Sequence, residues 1–172
     1  MTPAPVVVRR ARREDWPRVV ELHRELARFE KMTPPSDAES ARLAAQIFDT
    51  PPDRRGRAAE IEAFVAELDG RIEGIAIFWE GLGSSFRARP FLFLEDLVVG
   101  QAARSRGVGE ALVAAIAKEG VARNAVRVDW FVLDWNVNAM RFYHRLGAGP
   151  SQEWVRYCLE EEAMKKLAAS SG

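Results

Sequence analysis

Residues Phe91 to Gly109 read FLFLEDLVVGQAARSRGVG, and the fold turns on how that stretch is parsed. An apolar run, Phe91-Leu92-Phe93-Leu94, is followed by two acids, Glu95 and Asp96, and then by Leu97-Val98-Val99. A polar turn from Gly100 to Ala103 leads into Arg104-Ser105-Arg106-Gly107-Val108-Gly109. Beyond it, Glu110 to Arg123 carries on a helical stripe made by Val108, Ala111, Leu112, Ala115 and Ile116. By period this is a buried strand, a loop rich in glycine and arginine, and an amphipathic helix.

That order sets the free backbone N–H groups of a helix start, from Ser105 to Glu110, beside two glycines that let an anion come close. Arg104 and Arg106 add positive charge, so a phosphate or pyrophosphate is the natural ligand. An ordinary strand-to-helix turn is the other reading of a bare Gly-x-Gly. Two known phosphate loops are excluded: neither the Gly-Lys-Ser/Thr ending of the P-loop nor the three-glycine dinucleotide fingerprint is present.

Working outward, Val6 to Arg9 predicts a short strand. Asp15 is placed to cap a helix that tolerates Pro17 in its first turn and runs to about Phe29. Its stripe is Trp16, Val19, Val20, His23, Leu26 and Ala27; a lone histidine there reads as a satisfied core or interface residue. Pro34-Pro35 breaks the chain, Ser36 caps a second helix to about Phe48, and Asp49 to Arg57 reads as an exposed loop. Glu62–Leu68 and Arg71–Trp79 are strand-like and joined by Asp69-Gly70, a strong hairpin signal. Gly81 to Pro90 reads as a polar loop. Downstream come a strand at Val126–Leu133, a short helix at Asn136–Leu146, a strand at Trp154–Leu159 and a charged helix at Glu160–Ala169. The fold class is α/β of the α+β type: a mixed, mostly antiparallel sheet flanked by helices.

The 172 residues read as one domain spanning 1–172. Lys+Arg and Asp+Glu are equal at 25 each, which argues against a general nucleic-acid binder. The single Cys158 cannot form an internal disulfide, in keeping with a reducing compartment. No segment has the layout of a signal peptide or the length of a membrane span, so the expected place is the cytoplasm, with no membrane partner.

The loop residues Arg104, Gly107 and Gly109 resemble the acetyl-CoA loop of the GNAT superfamily of N-acetyltransferases, Arg/Gln-x-x-Gly-x-Gly/Ala. The resemblance extends to Leu94-Glu95-Asp96-Leu97-Val98-Val99 before it, and to Asp134-Trp135-Asn136, Phe142-Tyr143 and Leu146-Gly147-Ala148 after it. With Glu25-Leu26-Ala27-Arg28-Phe29-Glu30-Lys31-Met32 near the start, these features are similar to the branch holding spermidine/spermine (diamine) and thialysine N-acetyltransferases. The resemblance implies a sheet splayed between its fourth and fifth strands, with acetyl-CoA as co-substrate and a homodimer. It also implies that Leu97, Val98 and Val99 pair with the pantetheine arm, and that Arg104, Ser105, Arg106, Gly107, Val108, Gly109 and Glu110 hold the diphosphate. Asn136, Asn138, Ala139 and Tyr143 complete the cofactor set; Asn136 is equally suited to cap the helix that follows it.

Acetyl transfer to an amine meets a protonation barrier. A lysine-like amine titrates near ~10.4, so making the neutral form at pH 7 costs about 4.6 kcal/mol. A carboxylate that attracts the ammonium and then takes its proton addresses this step. Glu95 sits where the resembled branch has its base. Asp96 joins it in one cleft only if a bulge interrupts the strand's alternation; otherwise one acid faces solvent or pairs with an arginine. The resembled general acid is the tyrosine of Phe142-Tyr143, a phenol that can protonate the departing thiolate; the plain alternative is a core tyrosine. The oxyanion donor implied is a backbone N–H near Leu97 or Val98. Cys158 has no neighbouring histidine to activate it as a nucleophile and reads as structural.

Phe29, Glu30, Glu95, Asp96, Asp129, Trp130 and Phe131 are the acceptor-lining residues implied, with Glu153 a further acid. They suit a small primary amine, either a diamine or polyamine or a lysine-like amino acid. The arginines between Pro34 and Arg57, with Arg87 and Arg89, favour an acceptor that carries a carboxylate. Two other classes stay open: a protein N-terminal or lysine acetyltransferase, and a non-catalytic acyl-CoA-binding module.

Overall fold

The computed structural model describes residues 5–50, 61–151 and 155–169. Contacts divide the chain into two compact units, one up to Phe131 and one from Val132 onward.

In the first unit the order is β1 (Val7–Arg10), α1 (Trp16–Phe29), α2 (Asp37–Phe48), β2 (Ile61–Leu68), β3 (Arg71–Ser84), β4 (Arg89–Val99), α3 (Val108–Ala122) and β5 (Val128–Asp129). The sheet runs β1-β2-β3-β4-β5, antiparallel except for the parallel β4–β5 pair. Asp69 and Gly70 both take positive φ, 53° and 74°, which gives the tight β2–β3 turn the twist its strands need. Ser36 and Glu39 form a reciprocal capping box at α2, each side chain bonded to the other's backbone. Asp15 precedes α1 but does not cap it. Its carboxylate takes two bonds from Arg9, at 2.6 and 2.9 Å, and one from the Arg12 N–H at 2.7 Å.

Alternation along the strands divides the core between two sheet faces. Phe64, Ala66, Ala76, Phe78, Leu92 and Leu94 pack against Val108, Leu112 and Ile116 of α3. Ala63, Val65, Ile75, Ile77 and Val98 pack against Val19 and Leu22 of α1. Gly74 lets α3 lie close to the sheet, since a Cβ there would stand 2.6 Å from Val108 Cγ1.

Three expected elements differ. Gly81–Pro90 is mostly strand, because β3 continues to Ser84 and pairs across a short turn with Arg89, Pro90 and Phe91. The strand expected at Val126–Leu133 shrinks to two residues, since its pairing with β4 ends at Phe93 and Asp129. In the second unit, residues 155–159 form no strand despite the apolar alternation of Val155, Tyr157 and Leu159; Trp154 lies outside the described residues. That unit carries α4 (Val137–Arg145) and α5 (Glu161–Ala169). Among the described residues no helix is long and apolar enough to cross a membrane.

Candidate active site

Glu95 is the extra residue of a β-bulge. On β3, Phe78 pairs with Leu94 and the next residue back, Ile77, pairs with Asp96, so Glu95 has no partner. A bulge resets the two-residue period. Before it, Leu92 and Leu94 point to α3; after it, Leu97 and Val99 take that face, and Asp96 and Val98 turn toward α1. The condition for both acids to share a face is therefore met.

Each acid then finds its own partner. Trp79 lies two residues beyond Ile77, on the α1 side of β3, and its indole Nε1 donates to Glu95 Oε2 at 3.1 Å. Its ring packs on Phe93 and Phe91, with centroids 5.2 and 5.6 Å away, and Phe93 meets Phe131 at 5.2 Å. Asp96 Oδ2 faces His23 Nε2 of α1 at 3.3 Å. The hydrogen bond to Asp96 raises the imidazole above its ordinary 6.5 against the opposing effect of burial. Glu30, just past the end of α1, is raised above the usual carboxylate value by burial and then by repulsion from Asp96. Phe91 and Phe93 alternate just before the acids, the one signal in the sequence for Phe93; Trp79, next to Phe78 on β3, carries no such signal.

The loop after β4 narrows into a helix start. The Gly100 N–H is held by the Glu73 carbonyl at 2.8 Å, and Ala103 closes a short turn on Gly100 at 2.9 Å. Ser105 and Gly107 take positive φ, 61° and 81°, and Gly107 stands at the N-cap of α3. The first helical bond runs from the Ala111 N–H to the Gly107 carbonyl, so the N–H groups of Val108, Gly109 and Glu110 end the helix and present its positive pole. Arg106 pairs with Asp69 of the β2–β3 turn at 2.9 Å. Arg104 folds back, its Nε 3.4 Å from the Val99 carbonyl and its guanidinium 5.9 Å from the Phe29 ring centre. Among the described residues no strand pairs with the free edge of Leu97–Val99, because β5 has already ended.

In the second unit, Asn136 caps α4, its Oδ1 accepting from the Ala139 N–H at 3.2 Å. Asn138 is exposed and Ala139 half-buried on the first turn. Tyr143 is part-buried beside Phe142, with ring centres 5.0 Å apart, and burial pushes its phenol up to about 12. It therefore stays protonated throughout the physiological range.

Some expected acceptor residues are engaged elsewhere. Asp129 is bound by Arg127 at 2.7 Å, and Trp130 packs on the α3 side of the sheet, the face away from Glu95 and Asp96. Glu153 lies outside the described residues. Cys158 is exposed, not part of a core, and its Sγ lies 3.3 Å from Glu160 Oε1. The neighbouring carboxylate raises the thiol, which disfavours a nucleophilic thiolate.

The family model described as acetyltransferase (GNAT) family matches residues 16–148. The chain is 30% identical to the thialysine N-epsilon-acetyltransferase of Bos taurus over 167 residues, 95% of this chain and 97% of that protein. It is 38% identical to the L-ornithine N5-acetyltransferase NATA1 of Arabidopsis thaliana over 96 residues, 56% of this chain but only 42% of that protein. Its fold is similar to a crystal structure of an aminoglycoside acetyltransferase from an uncultured soil metagenomic sample, with a TM-score of 0.68 at 20% identity, covering 90% of this chain and 97% of that one.

Proposed function

The chain belongs to the GNAT acetyltransferase family, whose members use acetyl-CoA as co-substrate, and from that premise we propose that it acetylates a primary amine of a small molecule by direct attack in a ternary complex. The observation that carries the proposal is the β4 bulge, which turns Glu95 and Asp96 to one face beside the Trp79–Phe93–Phe131 wall. The acceptor is a lysine-like amino acid or a diamine. Support comes from the names of the two relatives, which concern thialysine and ornithine, each an amino acid with a terminal amine. We take residues 1–172 as one acetyltransferase domain; in support, the family match, residues 16–148, runs across the boundary at Phe131.

In this reading Glu95 takes the proton of the acceptor's ammonium, and the neutral amine attacks the thioester carbon. A backbone N–H near Leu97 or Val98 donates to the carbonyl oxygen as it gains charge. Tyr143, held protonated by burial, gives its proton to the departing thiolate. Two features fit the co-substrate: the N-terminal pole of α3 with left-handed Gly107, suited to a diphosphate, and the unpaired edge of Leu97–Val99, suited to the amides of a pantetheine arm. Arg104, Ser105, Arg106 and Glu110 flank the first, and Asn136, Asn138 and Ala139 complete the grip. Phe29, Glu30 and Phe131 border the acceptor. The enzyme works as a homodimer in the cytoplasm.

A panel of amines incubated with acetyl-CoA tests this, with thiol release as the readout and with thialysine, L-ornithine, L-lysine, diamines, polyamines and N-terminal peptides included. Release with the small amines is expected. Release with peptides alone would assign a protein acetyltransferase instead. Binding of acetyl-CoA without release by any amine would assign a non-catalytic module.

A further inference from the structure

Behind the bulge, groups from two elements converge on one carboxylate. His23 Nε2 of α1 lies 3.3 Å from Asp96 Oδ2 of β4, and the two side chains are 23% and 20% exposed. Glu30, from the end of α1, feels both of them. Glu95 is the residue next to Asp96, turned to the same face and held by Trp79. The cation of the neighbouring loop, Arg104, is directed to the Val99 carbonyl and the Phe29 ring. An ammonium drawn to Glu95 arrives on the face that Asp96 shares, where Asp96 already has a cation partner when His23 is protonated.

We propose that the acceptor's ammonium and the proton on His23 compete for Asp96, so that binding a cationic acceptor expels that proton to solvent. The proposal rests on the Glu95 face being the acceptor site. His23 is then a positioning residue. Charged, it occupies Asp96 and weakens the pull on the acceptor; neutral, it leaves the full charge of Asp96 for the ammonium. The coupling is reciprocal: the factor by which the amine weakens protonation of His23 is the factor by which protonation weakens amine binding. A purely structural tie between α1 and β4 would show no such coupling.

The chain has two histidines, His23 and His144, so carbon-detected imidazole NMR of the full chain follows both, with His23→Gln assigning the signals. The probes are L-ornithine and 1,5-diaminopentane. In their absence His23 should titrate above 6.5. Saturation with either amine should lower that midpoint by about one pH unit and leave His144 unmoved. Asp96→Asn should abolish both the upward displacement and the response. In kinetics, acceptor KM should fall by up to about tenfold between pH 6 and 8 in the wild type. It should stay flat in His23→Gln, with acetyl-CoA KM unaffected in both. Acetylated amines that leave the His23 midpoint unmoved would overturn the competition alone. Failure of every amine to be acetylated would overturn the functional reading and the competition with it.

Discussion

The indole Nε1 of Trp79 donates a hydrogen bond to Oε2 of Glu95 at 3.1 Å, across two strands whose pairing Glu95 itself interrupts. The bulge frees the carboxylate from the pleat, and the indole fixes where it points. Trp79→Phe keeps an aromatic ring on Phe93 but removes the donor. A hydrogen bond to a charged group contributes about 1.5–3 kcal/mol. With Glu95 exposed, the lower half applies: kcat/KM for the amine should fall by roughly 10- to 40-fold, with acetyl-CoA KM unchanged. Steady-state kinetics with each substrate varied in turn checks this.

Glu95→Gln should depress the rate by about 100-fold or more at neutral pH, where the amine must lose a proton. The deficit should shrink as pH approaches that of the free amine, near ~10.4. A pH–rate profile parallel to that of the wild type would remove Glu95 as the base.

Tyr143→Phe should lower kcat by about 100-fold while leaving acetyl-CoA affinity within about twofold. Because burial holds the phenol at about 12, the wild-type profile should show no fall from loss of this proton up to pH 10. Calorimetry with acetyl-CoA and rate measurements to pH 10 cover both points.

Gly74→Ala would place a Cβ 2.6 Å from Val108 Cγ1 and 2.9 Å from Leu112 Cδ1. Overpacking of this kind costs about 1–3 kcal/mol. Val108 opens α3, so relief by moving the helix start should also raise acetyl-CoA KM severalfold. Thermal melts and KM for acetyl-CoA report the two effects.

Asp15 is buried, and its bond to Arg9 holds the carboxyl below its ordinary 3.8. A depressed carboxyl stabilises the fold above that value, and the contribution disappears as pH falls through the folded one. Asp15→Asn should therefore lose roughly 2 kcal/mol at pH 7. The gap from wild type should close below pH 4, as followed by melts across pH.

Much of the fold was legible because it is local. The two positive-φ residues at Asp69-Gly70, the Ser36–Glu39 box and the helical stripe after Gly107 each depend on a few neighbouring residues. The misread segments depend on pairing. Gly81–Pro90 is polar and glycine-bearing, yet most of it is strand because its first part, up to Ser84, pairs back on Arg89, Pro90 and Phe91. Val126–Leu133 has the strand pattern but loses its partner after Asp129.

The sequence by itself determined the strand, the turn and the helix around Phe91–Gly109, and with them two neighbouring acids on the strand and a helix start with free N–H groups. Only the tertiary structure decided that Glu95 is the bulge residue, that Trp79 holds it, and that His23 answers Asp96. The reason is physical. A strand's alternation assigns neighbouring side chains to opposite faces, and only the register against another strand can add the extra residue that puts both acids on one.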